Sequence, residues 1–177
     1  MNVSVLGCGR WGSFLAWYQA TVLGNNVILW GERGRKSFEQ LKSEGANEYV
    51  TLDPAICLTD DLERAVSASQ VIIISISAQA LRSFLPEVTA FDISDKIFVL
   101  CMKGIEEGTG KRLSEIAAEC GIPERNTGVW VGPATSRPSS RAFPTVCSST
   151  VPIPTSQNIL PTPSRATSSA STTATIL

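Results

Sequence analysis

Six residues near the start constrain this chain more than any others: Gly7-Cys8-Gly9-Arg10-Trp11-Gly12, set directly after the apolar run Val3-Ser4-Val5-Leu6. From Ser13 to Leu23 the sequence turns into helix formers with an apolar face, so the spacing predicts a strand, a tight turn and a helix. The glycines have separate physical uses in that order. Gly7 allows a sharp turn off the strand, Gly9 lets the backbone approach a group that a Cβ would block, and Gly12 lets the helix pack close to the strand.

Turns also produce G-x-G-x-x-G by chance, and by itself the pattern is weak. Two further features give it weight. The strand begins at the third residue, and a second one, Asn26-Val27-Ile28-Leu29-Trp30, ends in Gly31-Glu32-Arg33. An acidic residue at the end of the second strand, roughly 20 residues past the glycines, is where a dinucleotide's adenosine ribose is held. The helix N-terminus would then offer its N–H groups and positive dipole end to the pyrophosphate.

The remaining chain repeats the alternation. Lys36 to Glu44 has helical spacing and stops at Gly45, and Tyr49 to Leu58 reads as a short extended excursion broken by Pro54. A brief helix runs to Ser67 with Thr59 or Asp60 as its cap. Gln70 to Ile76 is a continuous apolar run, which is how a strand buried on both faces of a parallel sheet reads. Ala78 to Val88 is a helix, Lys96 to Cys101 a strand, Gly110 to Cys120 a helix and Gly128 to Val131 a strand. Strands alternating with helices of this length predict an α/β fold, a Rossmann-type, doubly wound and mostly parallel sheet. Ligands bind beyond the carboxyl ends of such strands, so residues 7–12, 31–33, 75–79, 102–105 and 132–133 are expected along one edge.

Composition narrows the chemistry. With no histidine among 177 residues, Ser-His and Cys-His nucleophile pairs are excluded, and acid–base work falls to Lys, Asp, Glu or Tyr. The five cysteines, at 8, 57, 101, 120 and 147, form no C-x-x-C pair, so neither a metal site nor a disulfide framework is expected. A net charge of −1 gives no reason to expect nucleic acid as a partner. The start lacks the basic region of a signal peptide, and no apolar run approaches the ~20 residues a membrane helix needs. A cytoplasmic protein is the expectation.

With these strand ends aligned, residues 1–133 resemble the NAD(P)-dependent glycerol-3-phosphate dehydrogenases. The resemblance rests on Gly7 to Gly12, Leu29-Trp30-Gly31, Ile74 to Arg82, Lys103-Gly104-Ile105-Glu106-Glu107-Gly108-Thr109-Gly110, and Gly132-Pro133. The Lys103-Gly104-Ile105 motif after a strand speaks against a ketopantoate-type reductase. The resemblance implies reduction of dihydroxyacetone phosphate to glycerol 3-phosphate, feeding phospholipid synthesis. It places Gly7, Gly9, Arg10, Trp11, Gly12, Glu32, Arg33 and Lys103 at the cofactor, and Lys103 and Gly132 at the substrate. No catalytic residue is carried over, since the family's proton-donating lysine lies beyond the matching region. Glu32 accepts from ribose hydroxyls and repels a 2′-phosphate, which favours NAD; Arg33 keeps NADP open. A homodimer is open for the full-length family, and a stand-alone dinucleotide-binding module without turnover is the competing reading.

After Pro133 the composition changes abruptly. Residues 134–177 contain no Asp, Glu, Lys or Gly, and Ser, Thr and Pro make up more than half of them. Such a stretch has little apolar surface to offset its ordering entropy, so disorder is expected. A shifted reading frame offers one account. Losing one G from GGC-CCG-GGC-CAC-GTC-CAG-GCC-TTC, which encodes Gly-Pro-Gly-His-Val-Gln-Ala-Phe, yields the residues Gly132 to Pro138. A natural Ser/Thr-rich tail is the other. Either way the residues that close over a substrate and deliver a proton are not in view, and the chain is expected to be inactive alone.

Overall fold

A computed structural model describes residues 1–131 and 147–148. Five strands follow the order foreseen from the apolar runs: β1 (Asn2–Leu6), β2 (Asn26–Trp30), β4 (Val71–Ile74), β5 (Ile97–Leu100) and β6 (Thr127–Val131). A short β3 (Cys57–Thr59) lies inside the extended excursion. The sheet order is β3-β2-β1-β4-β5-β6, all parallel, with β7 (Cys147–Ser148) antiparallel on the far edge of β6. The order reverses between β1 and β4, and this is where a doubly wound sheet opens a crevice for a ligand. Of the stretch after Pro133, only Cys147–Ser148 are described; the disorder expected for 134–177 otherwise falls outside the described residues.

Alternation along the strands divides the core in two. Val3, Val5, Val27, Leu29, Ile73 and Val99 point to the face covered by α1 (Arg10–Trp17) and α2 (Lys36–Glu44). Leu6, Ile72, Ile74, Phe98 and Leu100 point to the other, covered by α3 (Leu62–Ser67), α4 (Leu81–Thr89) and α5 (Leu113–Glu119). All of β4 is buried, as its unbroken apolar run requires. Ser4 is the buried polar residue of β1, and it is satisfied: its hydroxyl donates to the Ala65 carbonyl at 2.6 Å and lies 2.7 Å from the Ser69 hydroxyl.

Several boundaries differ from the sequence-based expectation. α1 begins at Arg10 rather than Ser13, because Gly9 itself serves as the cap residue, and it passes into a π-helical turn at Tyr18–Val22. The cap of α3 is Asp61, not Thr59 or Asp60: its carboxylate accepts from the Arg64 N–H at 2.9 Å, while Thr59 accepts from the Asp61 N–H. Ala78–Ala80 form a 3₁₀ turn before α4, and Pro86 is accommodated inside that helix. α5 starts at Leu113 rather than Gly110. Gly110 takes φ +69°, which no helix uses, and a bridge between Ile105 and Arg112 holds the chain in a hairpin up to that point. Glu115 then accepts from the Arg112 N–H at 2.8 Å and fixes the helix start. Gly45 ends α2 with φ +65°, as its position after Glu44 predicts. Among the described residues, no helix is long and apolar enough to cross a membrane.

Candidate dinucleotide-binding cleft

The carboxyl ends of β1, β2, β4, β5 and β6 border one cleft of about 1530 Å³. Gly7 and Gly9 line it, Gly12 lies behind them, and the three glycines occupy three different environments. Gly7 has φ +112°, and a Cβ there would stand 2.3 Å from the Ser75 carbonyl oxygen, so only glycine turns the chain off β1 at this point. A Cβ on Gly12 would lie 1.7 Å from the Gly7 oxygen; the helix crosses the turn at backbone contact distance. Gly9 is the opposite case. Nothing lies within 4 Å of its added Cβ, which faces open cleft at the mouth of α1. The N–H groups of a helix's first turn have no partners within the helix and carry its positive dipole end, so this mouth suits a diphosphate. The cradle and donor set therefore fit a dinucleotide.

Arg10 and Trp11 stand beside this mouth. The Arg10 guanidinium lies 4.2 Å over the Tyr49 ring, and its Nη2 donates to the Tyr49 hydroxyl. Trp11 stacks on Phe14 at 5.4 Å and meets the edge of Trp130 from β6 at 6.3 Å. The sequence reads Tyr49 only as the start of an extended excursion and gives it no place at the site; the fold carries it to Arg10.

At the end of β2 the three charged residues separate. Glu32 lines the cleft and pairs with Arg35, Nε to Oε2 2.7 Å, both side chains being well exposed. Arg33 turns away to Asp60, at 2.5 Å, and does not line the cleft; its hydrogen bond holds the Asp60 carboxyl below the usual carboxylate range. Of these two arginines after β2, Arg35 is the one on the cleft wall, next to Ser37, whose hydroxyl sits 3.6 Å from the Cys8 thiol. Beneath this wall the close approach of Gly31 is needed as well: a Cβ there would fall 2.4 Å from Cys8 Sγ and 2.6 Å from Phe38 Cδ2. Burial raises the Cys8 thiol and pushes Cys101 up to about 12, so neither is a nucleophile at neutral pH.

On the other half of the cleft, Cys101 to Gly104 follow β5, and Lys103 is on the lining. The loop behind Lys103 is cross-linked to α4 and α5. Arg82 meets Glu106 at two points, Nε to Oε1 2.6 Å and Nη2 to Oε2 2.9 Å, and reaches Glu119 with Nη1 at 2.8 Å. Pairing with Arg82, together with the Thr109 hydroxyl, brings the Glu106 carboxyl down from 4.5 to about 2. Because the folded value is the depressed one, this contribution to stability is complete above pH 4.5 and is lost as pH falls from there toward 2. Acid unfolding followed by circular dichroism is expected to be shallower over that window in Glu106→Gln than in the wild type; parallel curves would contradict the pairing. Gly132, assigned to the substrate from the resemblance, falls outside the described residues.

A doubly wound parallel sheet with a glycine-lined helix mouth at its switch point and a carboxylate at the end of β2 defines a Rossmann-type dinucleotide-binding domain. The family model described as the NAD-dependent glycerol-3-phosphate dehydrogenase N-terminus matches residues 2–152, reaching past the composition change at Pro133. The chain belongs to this family. The NAD(P)+-type glycerol-3-phosphate dehydrogenase of Pelodictyon phaeoclathratiforme is 35% identical over 151 residues, and that of Chlorobium phaeobacteroides 36% over 150. Each alignment covers 82% of this chain and 45% of the relative, so the chain spans less than half the length of the curated relatives it matches. Among solved structures, glycerol-3-phosphate dehydrogenase from Coxiella burnetii superposes with a TM-score of 0.66 at 21% identity, covering 76% of this chain and 42% of that one. The yeast enzyme gives 0.61 at 23%, covering 77% and 43%. These likenesses show the same fold.

Proposed function

We propose that residues 1–133 are the cofactor-binding domain of a glycerol-3-phosphate dehydrogenase, binding NAD or NADP across the cleft, with 134–177 a separate stretch. The observation that carries this reading is the environment of Gly9, open at the mouth of α1 while Gly7 and Gly12 are locked on either side. A bound reduced nicotinamide would supply the hydride that the reduction of dihydroxyacetone phosphate, the reaction implied by the family, requires at the carbonyl carbon, a proton being needed at the oxygen. In this chain, the backbone at 7–12 would hold the diphosphate, Glu32 would accept from the ribose hydroxyls, and Lys103 would offer a cation to a phosphate or carbonyl. The proton donor belongs to a part of the relatives that this chain does not match. A positioned acid contributes ~10²–10⁴ to such a step, so residues 1–133 by themselves are expected to bind cofactor with turnover lowered by at least that factor.

The carboxylate on the cleft wall favours NAD, and Arg35 beside it is the group that would meet a 2′-phosphate. Fluorescence titration of the full chain, reading the tryptophans at the cleft, is expected to show saturable binding of NADH that is tighter than that of NADPH. In Glu32→Ala the carboxylate no longer neutralises Arg35 or repels phosphate, and the preference is expected to narrow by about tenfold, the scale of one charge-assisted contact. Binding of neither cofactor would overturn the reading. NADH oxidation above background with dihydroxyacetone phosphate would overturn the claim that the chain alone is inactive.

A further inference from the structure

The loop after β5 is rich in left-handed glycines. Gly104, Gly108 and Gly110 have φ of +110°, +82° and +69°, three left-handed positions within seven residues. A sequence of this kind samples many conformations unless something outside it fixes one. Here the fixing groups come from the turn after β4. Gln79 uses both ends of its amide: Nε2 donates to the Ile105 carbonyl and Oε1 accepts from the Glu107 N–H, each at 2.9 Å. Arg82, one turn further on, grips Glu106 with two parallel bonds. Glu106 also accepts from Thr109 at 2.5 Å and is only 13% exposed. The third guanidinium nitrogen meets Glu119 of α5, which Lys111 also binds. One arginine thus joins α4, the loop and α5.

We propose that Arg82, through its two-point grip on Glu106, is a positioning residue that sets Lys103 over the β4–β6 half of the cleft, where the second nucleotide of a dinucleotide lies. This rests on the cofactor reading above and adds to it a separation of labour. The glycines and Glu32 serve the adenosine diphosphate half without help from Arg82. The β5 loop serves the other half only while the grip holds. A guanidinium is suited to this because its planar fork fixes orientation as well as distance, which an ammonium at the same place does not.

The test compares two ligands on the full chain: NADH, which spans both halves of the cleft, and ADP, which occupies one. In Arg82→Gln the NADH dissociation constant is expected to rise roughly tenfold, a scale appropriate to a contact displaced by a fraction of an ångström. ADP binding is expected to stay within about twofold, since the adenosine half is untouched. Arg82→Lys is expected to resemble Arg82→Gln, because charge alone does not restore the fork. Glu106→Gln, nearly identical in shape, provides an independent route should Arg82 variants fold poorly, and it is expected to give the same selective loss. Equal weakening of both ligands would show Arg82 to be a brace for α4 and α5 and would overturn the proposal, as would unchanged NADH affinity in folded variants. A wild-type chain that binds ADP and NADH while its variants lose neither selectively refutes this inference alone; one that binds neither refutes the cofactor reading with it.

Discussion

Gly9→Ala is expected to fold as the wild type does and to bind NADH at least tenfold more weakly, whereas Gly12→Ala is expected to lose most of its stability. Both substitutions add one methyl group, and both lie within the same six-residue stretch. At Gly9 the backbone has φ −70°, a conformation alanine adopts freely, and the added Cβ meets no protein atom within 4 Å. Its effect on folding is therefore within about 1 kcal/mol, and of either sign. On the proposed function, what it would meet is the cofactor's diphosphate. At Gly12 the Cβ would stand 1.7 Å from the Gly7 carbonyl oxygen and 2.9 Å from its carbon, and both are backbone atoms of a turn that itself abuts Ser75. Relief requires moving α1 off the sheet, at a cost on the order of 4 kcal/mol or more, beyond the usual range for a single substitution. Natural domains hold only about 5–15 kcal/mol in all. Urea unfolding and an NADH titration on the two variants check the pair of outcomes. A Gly12→Ala protein as stable as the wild type would contradict the close helix–turn crossing, and unimpaired NADH affinity in Gly9→Ala would contradict the placement of the diphosphate.

The two glycines also show what could be read from the residues and what could not. Their order after a β-branched run specified turn, approach and crossing, because each of those demands is local to a few residues of chain. The buried strand β4 and the Gly45 stop of α2 were legible for the same reason. What escaped depends on partners distant in sequence. The sequence places Arg33 at the cofactor and gives no signal for Arg35; Asp60, reached through the β2–β3 pairing, draws Arg33 aside and leaves Arg35 on the cleft wall. Read from the sequence, the last helix starts at Gly110, three residues early: the apolar spacing of Leu113, Ile116 and Ala117 marks the helix but not its first residue, and the left-handed Gly110 and the Ile105–Arg112 bridge hold residues 110–112 in the hairpin. Asp61 displaced Thr59 and Asp60 as the α3 cap, a shift of one or two residues that only the hydrogen bond to Arg64 resolves.

Phe38→Ala is expected to cost about 3–5 kcal/mol, the range for deleting a fully buried aromatic ring, and to lower the melting temperature by roughly 8–15 °C for a domain of this size. Phe38 is 2% exposed and belongs to α2, but its functional place is under the end of β2. Its Cδ2 would be 2.6 Å from a Cβ on Gly31, the residue immediately before Glu32, and it shares that floor with Cys8 of the glycine turn. Removing the ring takes support from Glu32 and the glycine turn together, the groups proposed to hold the ribose and the diphosphate, while the Gly31 N–H keeps its bond to the Thr59 carbonyl and the strand stays paired. The consequence for binding is the reverse of that expected for the Arg82 grip. At a temperature where Phe38→Ala remains folded, ADP and NADH are expected to weaken by the same factor, because the loss falls on the half of the cleft both ligands use. A variant that loses stability as expected yet binds ADP unchanged would show that the packing under Gly31 serves the core alone, and that Glu32 holds its position by the β2–β3 backbone pairing without the ring beneath it.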